Sequence, residues 1–338
     1  KDIVVKTMTE DFGNPSAMHL KGVEAEKYVK EATKTIAGIL KVQEKEILFT
    51  SGGTESDNLA LIGGALANKR NGNHIIITSV EHAAVSQPAL YLQEQGFEIT
   101  YLPVDAQGRV KMSALEAVLR PDTIMVSTML VNNEVGAVMP VEEIAKMVHE
   151  KSPKALYHVD AIQGFGKYHI YPKRMGIDLL AVSGHKIHGP KGIGVLAVRP
   201  GVRLIPQITG GGQEKGLRSG TYNSPAILGL GEAVKTLAAD AEAVKRIRGM
   251  KARFWAALSQ EEGVRLNGPM PEDADSAPHI LSLSFDGVRG EVMRNALEGE
   301  GVLVSTGSAC ASHKQKVSPT LRAMGLLDTI WAIILPMT

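Results

Sequence analysis

Cysteine is nearly absent from this 338-residue chain, in which Cys310 is the single thiol. One cysteine excludes a disulfide within the chain and any metal or iron–sulfur site that needs several thiolates from it. The sequence also has no apolar run close to the roughly 20 residues that a membrane-spanning helix needs. Residues 1–3 do not begin a signal peptide, so we expect a cytoplasmic protein with no membrane contact.

An excess of either charge is missing too, because 37 Lys and Arg residues balance 36 Asp and Glu residues. Proteins that bind nucleic acid directly carry a basic surface, so we expect no direct nucleic-acid partner. Hydrophobic residues make up 44% of the chain and charged residues 22%, which argues against intrinsic disorder. The length is typical of a folded protein of about two domains.

Short apolar runs alternate with amphipathic stretches over the first half of the chain. The runs predict buried strands of a mostly parallel sheet at residues 46–50, 74–79, 123–130, 155–159 and 179–183. The intervening stretches predict helices at residues 55–68, 85–95 and 140–149. This alternation predicts an α/β fold with helices on both faces of the sheet. Residues 228–258 then predict one long helix, and residues 280–285, 288–298 and 302–305 predict a smaller α+β domain.

Ligands of such folds bind beyond the carboxyl ends of the strands, so the residues that follow each strand are the candidates for chemistry. We expect five loops to converge on one edge of the sheet, at residues 51–56, 81–82, 132–134, 160–163 and 183–186.

Glycines and hydroxyls are concentrated in Ser51-Gly52-Gly53-Thr54, between a strand and a helix. Their backbone N–H groups suit a phosphate at the helix N-terminus. The alternative is that Ser51 or Thr54 only caps the helix. Residues 184–191 do not form a Walker loop, since Pro190 stands where the lysine is needed. Residues 229–231 lack the third glycine of a dinucleotide fingerprint, and we interpret them as the entry of a helix.

Lys186 follows an apolar strand and precedes a rigid turn at residues 189–192. A lysine held and partly desolvated at a strand end can form a Schiff base, and the alternative is an ordinary solvated lysine. Asp160 ends another strand 26 residues earlier. A buried carboxylate there needs a cation, which the protonated pyridine nitrogen of pyridoxal phosphate (PLP) would supply. The alternative is a helix N-cap.

Cys310 lies among the small residues 305–312 and is followed by three basic side chains. Such a segment predicts an exposed, mobile loop, and the nearby positive charge favours a reactive thiolate. The alternative is a cysteine that acts as a small apolar residue. Two interpretations are also left for His82, which either stacks on a flat cofactor ring or has a structural role.

Together these motifs resemble the cysteine desulfurases of the NifS/IscS type, which are PLP enzymes with the aspartate aminotransferase-like fold of class V. The resemblance covers nearly the whole chain in the family's order, at residues 12–16, 51–58, 132–136, 158–163, 183–192, 218–221 and the Cys310 segment. It implies a large PLP-binding domain of residues 12–240. Residues 1–11 and 241–338 would then form the smaller α+β domain that carries Cys310.

The resemblance implies a role for each candidate. Lys186 would hold PLP in a Schiff base, Asp160 would pair with the pyridinium nitrogen, and Gln163 would hydrogen-bond the phenolic oxygen. His82 would stack on the ring, and Asn132 would lie near the phenolic oxygen and the substrate carboxylate. The phosphate contacts would come from Gly53, Thr54, Ser183, His185 and, across a homodimer, Thr221 of the other subunit.

The implied reaction makes Cys310 the sulfur acceptor. Its thiolate would attack the sulfur of L-cysteine bound to PLP, leaving alanine and a persulfide. The persulfide sulfur would pass to an acceptor protein, such as an iron–sulfur scaffold or a tRNA-thiolation enzyme.

Two features depart from the family pattern. The family's opening Asp-Asn-Ala-Ala-Thr-Thr-like segment has no counterpart before Phe12, and the arginine that grips the substrate carboxylate is missing near Trp331. If residues 327–338 take the place of the arginine strand, L-cysteine binds weakly. A selenocysteine lyase, a class V aminotransferase and a non-catalytic partner protein with the PLP fold therefore stay open as alternatives.

Overall fold

The computed structural model describes residues 1–239, 241–305, 318–326 and 332–336. Its strands are β1 (Ile47–Thr50), β2 (His74–Thr78), β3 (Glu98–Leu102), β4 (Thr123–Met129), β5 (Leu156–Asp160), β6 (Leu179–Ser183), β7 (Gly194–Val198), β8 (Val264–Asn267), β9 (Ile280–Phe285) and β10 (Ala332–Pro336). In this described part, seven strands form a sheet in the order β1-β7-β6-β5-β4-β2-β3, and three form a second sheet in the order β10-β9-β8.

Helices cover both faces of the larger sheet. They are α1 (Asp2–Thr9), α2 (Leu20–Leu40), α3 (Gly53–Asn58), α4 (Gly64–Asn68), α5 (Ala83–Glu94), α6 (Met112–Val118), α7 (Val141–Lys151), α8 (Pro172–Met175), α9 (Ser224–Ala239), α10 (Ala241–Leu258), α11 (Gly290–Gly299) and α12 (Pro319–Ala323). A π-helical turn, Leu59–Gly63, joins α3 to α4, and 3₁₀ helices cover Glu44–Glu46, Gly184–Ile187 and Glu214–Gly216.

The larger sheet is mostly parallel, which confirms the predicted α/β fold class. Only β7 runs against its neighbours, pairing antiparallel with β6 and with β1. The strand β3 is not among the predicted runs, because this edge strand is only partly buried and mixes Glu98 and Thr100 with its apolar residues. The strand β8 also lies outside the predicted runs.

The pleat of β5 divides its side chains between the two cores. Tyr157 and Val159 pack in the core that α2, α7 and α9 cover, whereas Leu156 packs in the core beneath α5. Successive side chains of a strand point to opposite faces, so His158 and Asp160 share the face of Leu156. The polar end of this strand therefore lies on the side where α3 begins.

Two helix predictions need correction. The predicted helix at 55–68 begins at Gly53, and the predicted helix at 228–258 begins at Ser224 and consists of α9 and α10 over the described residues. The glycines Gly229 and Gly231 lie inside α9 and not at its entry. A Cβ on Gly229 would come within 2.5 Å of Pro190 Cγ, so this glycine allows α9 to pack closely on the turn that follows Lys186.

Residues 302–304, in the last segment predicted for the smaller α+β domain, have no regular structure. Val302 and Leu303 are exposed, so these apolar side chains do not belong to a core. The helix α1 packs on α9. The proposed division into domains at 12–240 stays a prediction. Over the described residues, no helix is long and apolar enough to cross a membrane.

Candidate active site

Three of the five predicted loops touch at the carboxyl edge of the sheet. A Cβ on Gly53, after β1, would lie 2.0 Å from Ile162 Cδ1 and 3.7 Å from Ser183 Cβ, which follow β5 and end β6. Gly52 has a φ of 153°, which also favours glycine. The two glycines therefore let the start of α3 approach the ends of β5 and β6.

No side chain of the described residues caps the start of α3. Gly52 is the N-cap residue, and the alternative that Ser51 or Thr54 caps this helix is therefore wrong. Glu55 instead accepts the backbone N–H of Ser51 at 2.8 Å and pairs with Arg218, whose Nε lies 2.8 Å from Glu55 Oε1. Thr54 is exposed beside this helix terminus.

A hydroxyl group and an imidazole group lie at the end of β6. Ser183 Oγ and His185 Nδ1 are 2.7 Å apart, and Gly52 lies close to the same hydroxyl. His185 is exposed, and its pKa is lowered by partial burial and then by the charge of Lys186. A neutral imidazole and a hydroxyl thus lie beside the uncapped N-terminus of α3.

Lys186 lies in the 3₁₀ helix Gly184–Ile187 and is half-buried. Its carbonyl oxygen accepts a hydrogen bond from Lys167 Nζ at 2.6 Å. Burial, followed by the charge of Lys186, lowers the pKa of Lys167 to about 8. The backbone of Lys186 is therefore fixed by a second lysine, which no sequence motif identifies.

His82 is the N-cap residue of α5, where its Nδ1 accepts the backbone N–H of Ala84 at 3.1 Å. Burial and then the charge of Lys186 lower the pKa of His82. The imidazole is thus oriented by the helix terminus and lies in the field of Lys186. Both interpretations of this residue, ring stacking and a structural role, are compatible with its position.

Asp160 is buried at the end of β5, with 6% of its surface exposed. Its Oδ1 accepts the backbone N–H of Ile162 at 2.9 Å, so the carboxylate begins a turn and not the helix that the N-cap alternative required. Burial and then the charge of Asp57 raise the pKa of Asp160 to about 8. Among the described residues, no Lys, Arg or His forms an ion pair with this carboxylate.

Further polar groups lie behind Asp160 in the protein interior. Asp57 is fully buried, and neither of its carboxylate oxygens has a hydrogen-bond partner in the described structure, although His158 Nε2 lies 3.4 Å from Oδ1. Burial raises the pKa of Asp57 well above its usual range and lowers that of His158 to about 4. Glu81 has a pKa raised to about 8, by burial and in part by Asp160.

Asn132 is fully buried, and its amide already makes hydrogen bonds to the protein. Its Nδ2 donates to Val80 O at 3.1 Å, and its Oδ1 accepts the backbone N–H groups of Glu134 and Val135, each at 2.9 Å. The side chain therefore shapes its own loop. Its role near a substrate carboxylate stays a prediction.

Gln163 contacts a residue of the turn that leads into the second sheet. Its Oε1 lies 3.2 Å from Nε2 of His279, which directly precedes β9. His279 is buried, and no local motif in the sequence identifies it as part of a site. Only the fold brings this histidine to the turn after β5.

The structure says less about three other residues that the sequence analysis singles out. Thr221 is exposed, and Arg218, three residues before it, pairs with Glu55 of the same chain. Cys310 and Trp331 lie outside the described residues. The strand β10, which follows Trp331, pairs antiparallel with β9.

Comparison with known proteins identifies the family. The family model of aminotransferase class-V matches residues 2–334. A cysteine desulfurase IscS 1 of Archaeoglobus fulgidus is 43% identical over 320 residues, which is 94% of this chain and 82% of the relative. This chain belongs to the class V aminotransferase family, in its NifS/IscS group of cysteine desulfurases.

Two solved structures extend the likeness to the whole fold. A NifS-like protein superposes with a TM-score of 0.92 at 37% identity, over 99% of this chain and 88% of that one. The structure described as SspA in complex with cysteine superposes with a TM-score of 0.86 at 34% identity, over 99% and 94% of the two chains. The family resemblance drawn from the sequence motifs is thereby confirmed.

Proposed function

We propose that this chain is a PLP-dependent L-cysteine desulfurase, which converts L-cysteine to L-alanine and transfers the sulfur to Cys310. One observation carries the proposal most strongly. Lys186 and the buried carboxylate of Asp160, which forms no ion pair with the described residues, lie at the carboxyl edge of one sheet, in a chain 43% identical to a cysteine desulfurase. Enzymes of this family depend on PLP.

The donor set fits PLP. The uncapped N-terminus of α3, with Ser183 and His185 beside it, suits the phosphate, because backbone N–H groups and a helix N-terminus favour anions. Lys186 would hold the aldehyde carbon. When bound, PLP supplies an electron sink for the bonds around the substrate's α-carbon.

Asp160 supplies the charge at the opposite end of the ring. A carboxylate buried without a cation is costly, and its raised pKa reflects that cost. A protonated ring nitrogen would remove the penalty by pairing with the carboxylate. Asp160 would thus keep a proton on that nitrogen, while His82 covers the ring and Gln163 donates to the phenolic oxygen.

Cys310 would receive the sulfur. The bond between the sulfur and the β-carbon of L-cysteine would break as the Cys310 sulfur bonds to that sulfur. The electron pair would stay with the β-carbon, which would take up a proton, so L-alanine and a persulfide form without an oxidant. A sulfur-acceptor protein, such as an iron–sulfur scaffold or a tRNA-thiolation enzyme, would then take the terminal sulfur in the cytoplasm.

The roles of Lys186 and Cys310 can be tested separately. Purified protein incubated with PLP should develop a visible absorption band that borohydride bleaches, and Lys186→Ala should abolish that band. Cys310→Ser should keep the band and lose sulfide release from L-cysteine in the presence of a thiol reductant. A wild type that stays colourless with PLP, or a Cys310→Ser variant that releases sulfide at the wild-type rate, would refute the proposal.

The homodimer is part of the proposal, with Thr221 reaching the phosphate bound by the partner. Thr221 is exposed, so Thr221→Val should leave the fold intact and weaken PLP retention. Sedimentation should give a dimer. A monomer that retains PLP fully would contradict this arrangement.

A further inference from the structure

His279 and Gln163 connect the turn before β9 to the turn after β5 at the candidate active site. The donor and acceptor atoms, His279 Nε2 and Gln163 Oε1, are 3.2 Å apart, although 116 residues separate them in the sequence. An amide oxygen can only accept, so the imidazole proton must lie on Nε2. The contact therefore links the tautomer of the histidine to the orientation of the amide.

The surroundings of His279 hold this arrangement in place. Burial, followed by the charges of Lys167, Lys251 and Lys186, lowers the pKa of His279 to about 3, so the imidazole carries a single N–H at neutral pH. Its Nδ1 is buried without a hydrogen-bond partner in the described structure. Positive charge around the ring favours a lone pair on Nδ1 over a second N–H.

The opposite orientation of the amide is disfavoured. If the Gln163 amide turned over, its nitrogen would face His279, and Nε2 would have to accept. The imidazole proton would then move to Nδ1 and become a buried N–H without an acceptor, which proteins rarely tolerate. Gln163 therefore keeps its Nε2 on the side away from His279, where no acceptor of the described residues binds it.

The backbone that carries His279 is itself anchored. Ala277 N donates to Gly136 O and Val138 N donates to Asp275 O, both at 2.8 Å. Lys251 Nζ, which is buried, donates to Ala277 O at 2.8 Å. The first two bonds join the segment before β9 to the loop after β4, and the third joins it to α10. The imidazole is thus presented from a rigid support.

We propose that His279 is a positioning residue of the cofactor site, whose Nε2–H holds the Gln163 amide so that its nitrogen donates to the phenolic oxygen of PLP. The inference rests on the proposed function. It assigns to the second sheet a part in shaping the cofactor's environment. A hydrogen-bond donor to the phenolic oxygen stabilises its anion and therefore lowers the pKa of the proton that is bound there.

A double-mutant cycle tests the proposal on the PLP-loaded protein, with the pH titration of the visible band as the readout. His279→Leu and Gln163→Leu should each raise the midpoint of that titration, by roughly one pKa unit. The double variant should shift no further than Gln163→Leu alone, because His279 acts through Gln163. His279→Gln, which restores a donor of similar reach, should return the midpoint toward the wild-type value.

Controls separate the possible failures. His169→Leu, at an exposed imidazole that stacks on Tyr171, should leave the midpoint unchanged. If His279→Leu does not fold, His279→Asn, which is polar but too short to reach Gln163, should give the same upward shift. Additive shifts in the cycle, or a shift with Gln163→Leu and none with the folded His279 variant, would overturn the inference. A wild type without a visible band would refute the proposed function instead.

Discussion

At the scale of single residues, Asp160 shows how burial prepares a side chain for a ligand. Its pKa is raised to about 8, first by burial and then by Asp57, so the cofactor-free protein holds a group that gains from a cationic partner.

We expect Asp160→Asn to weaken PLP binding by about tenfold to a hundredfold, the effect of losing one charge-assisted hydrogen bond. The measurement is the equilibrium dissociation constant of PLP, from the visible band. Asp122→Asn, at a carboxylate that pairs with Arg120 near the protein surface, is the control and should bind PLP like the wild type. Unchanged affinity in Asp160→Asn would show that another group faces the ring nitrogen.

Asn132 illustrates a residue whose sequence position suggests catalysis while its contacts are structural. Removing its amide would leave Val80 O and the N–H groups of Glu134 and Val135 without their partner. We expect Asn132→Ala to lower the free energy of unfolding by about 2–4 kcal/mol, measured by urea denaturation. Asn133→Ala, at the half-buried neighbouring residue, should cost less than about 1 kcal/mol. Equal losses in the two variants would contradict this structural role.

Sequence patterns identify the residues at and shortly after the ends of buried strands, because strand ends and turn residues are local signals. Lys186, Asp160 and His82 are found in this way. Lys167 and His279 are not, since their contacts with Lys186 O and Gln163 Oε1 span 19 and 116 residues. Contacts of that kind depend on how strands are ordered in the sheets, and no local pattern encodes them.

At the scale of elements, α9 supports the turn that follows Lys186. The prediction of a helix there is correct in type, but its start and the place of Gly229 are wrong, because tertiary packing sets both. The glycine lies inside the helix, where it costs helix stability, and the close approach of Pro190 explains its presence.

We therefore expect Gly229→Ala to be destabilising by about 1–3 kcal/mol and to weaken PLP retention, because the new methyl group would overlap the rigid ring of Pro190. Gly249→Ala is the matched control, since this glycine lies inside α10 and an added methyl group would meet no atom within 4 Å. It should gain about 0.5–1 kcal/mol from helix propensity. Thermal denaturation measures the change in stability, and the visible band measures PLP retention. A Gly229→Ala variant more stable than the wild type would show that α9 can move away from Pro190.

At the scale of the whole molecule, buried acids and bases give the cofactor-free protein an unusual pH dependence. Glu81 and Asp160 have pKa values raised to about 8, and that of Asp57 is raised as well. The buried lysines Lys167 and Lys251 have pKa values lowered to about 8. The unfolded chain would titrate these groups near their ordinary values, so folding changes the number of bound protons.

The sign of the effect follows from which state binds more protons. Between about pH 7 and pH 8, the unfolded chain has lost its carboxyl and most histidine protons, while the folded protein still holds those of Glu81 and Asp160. Stability therefore falls as the pH rises through this window, by about 1 kcal/mol for each group. Above about pH 8 the lysines reverse the trend, because the unfolded chain keeps protons that the folded protein loses.

We expect the melting temperature of the cofactor-free protein to decrease from pH 7 to pH 8, and Asp160→Asn to flatten that decrease by removing one of the two acids with a pKa near 8. Bound PLP should flatten it too, because its ring nitrogen would neutralise the same carboxylate. Differential scanning fluorimetry at constant ionic strength measures all three. A melting temperature that rises across this window in the cofactor-free wild type would mean that these carboxylates are already ionised at pH 7, and that a cation of the protein itself compensates them.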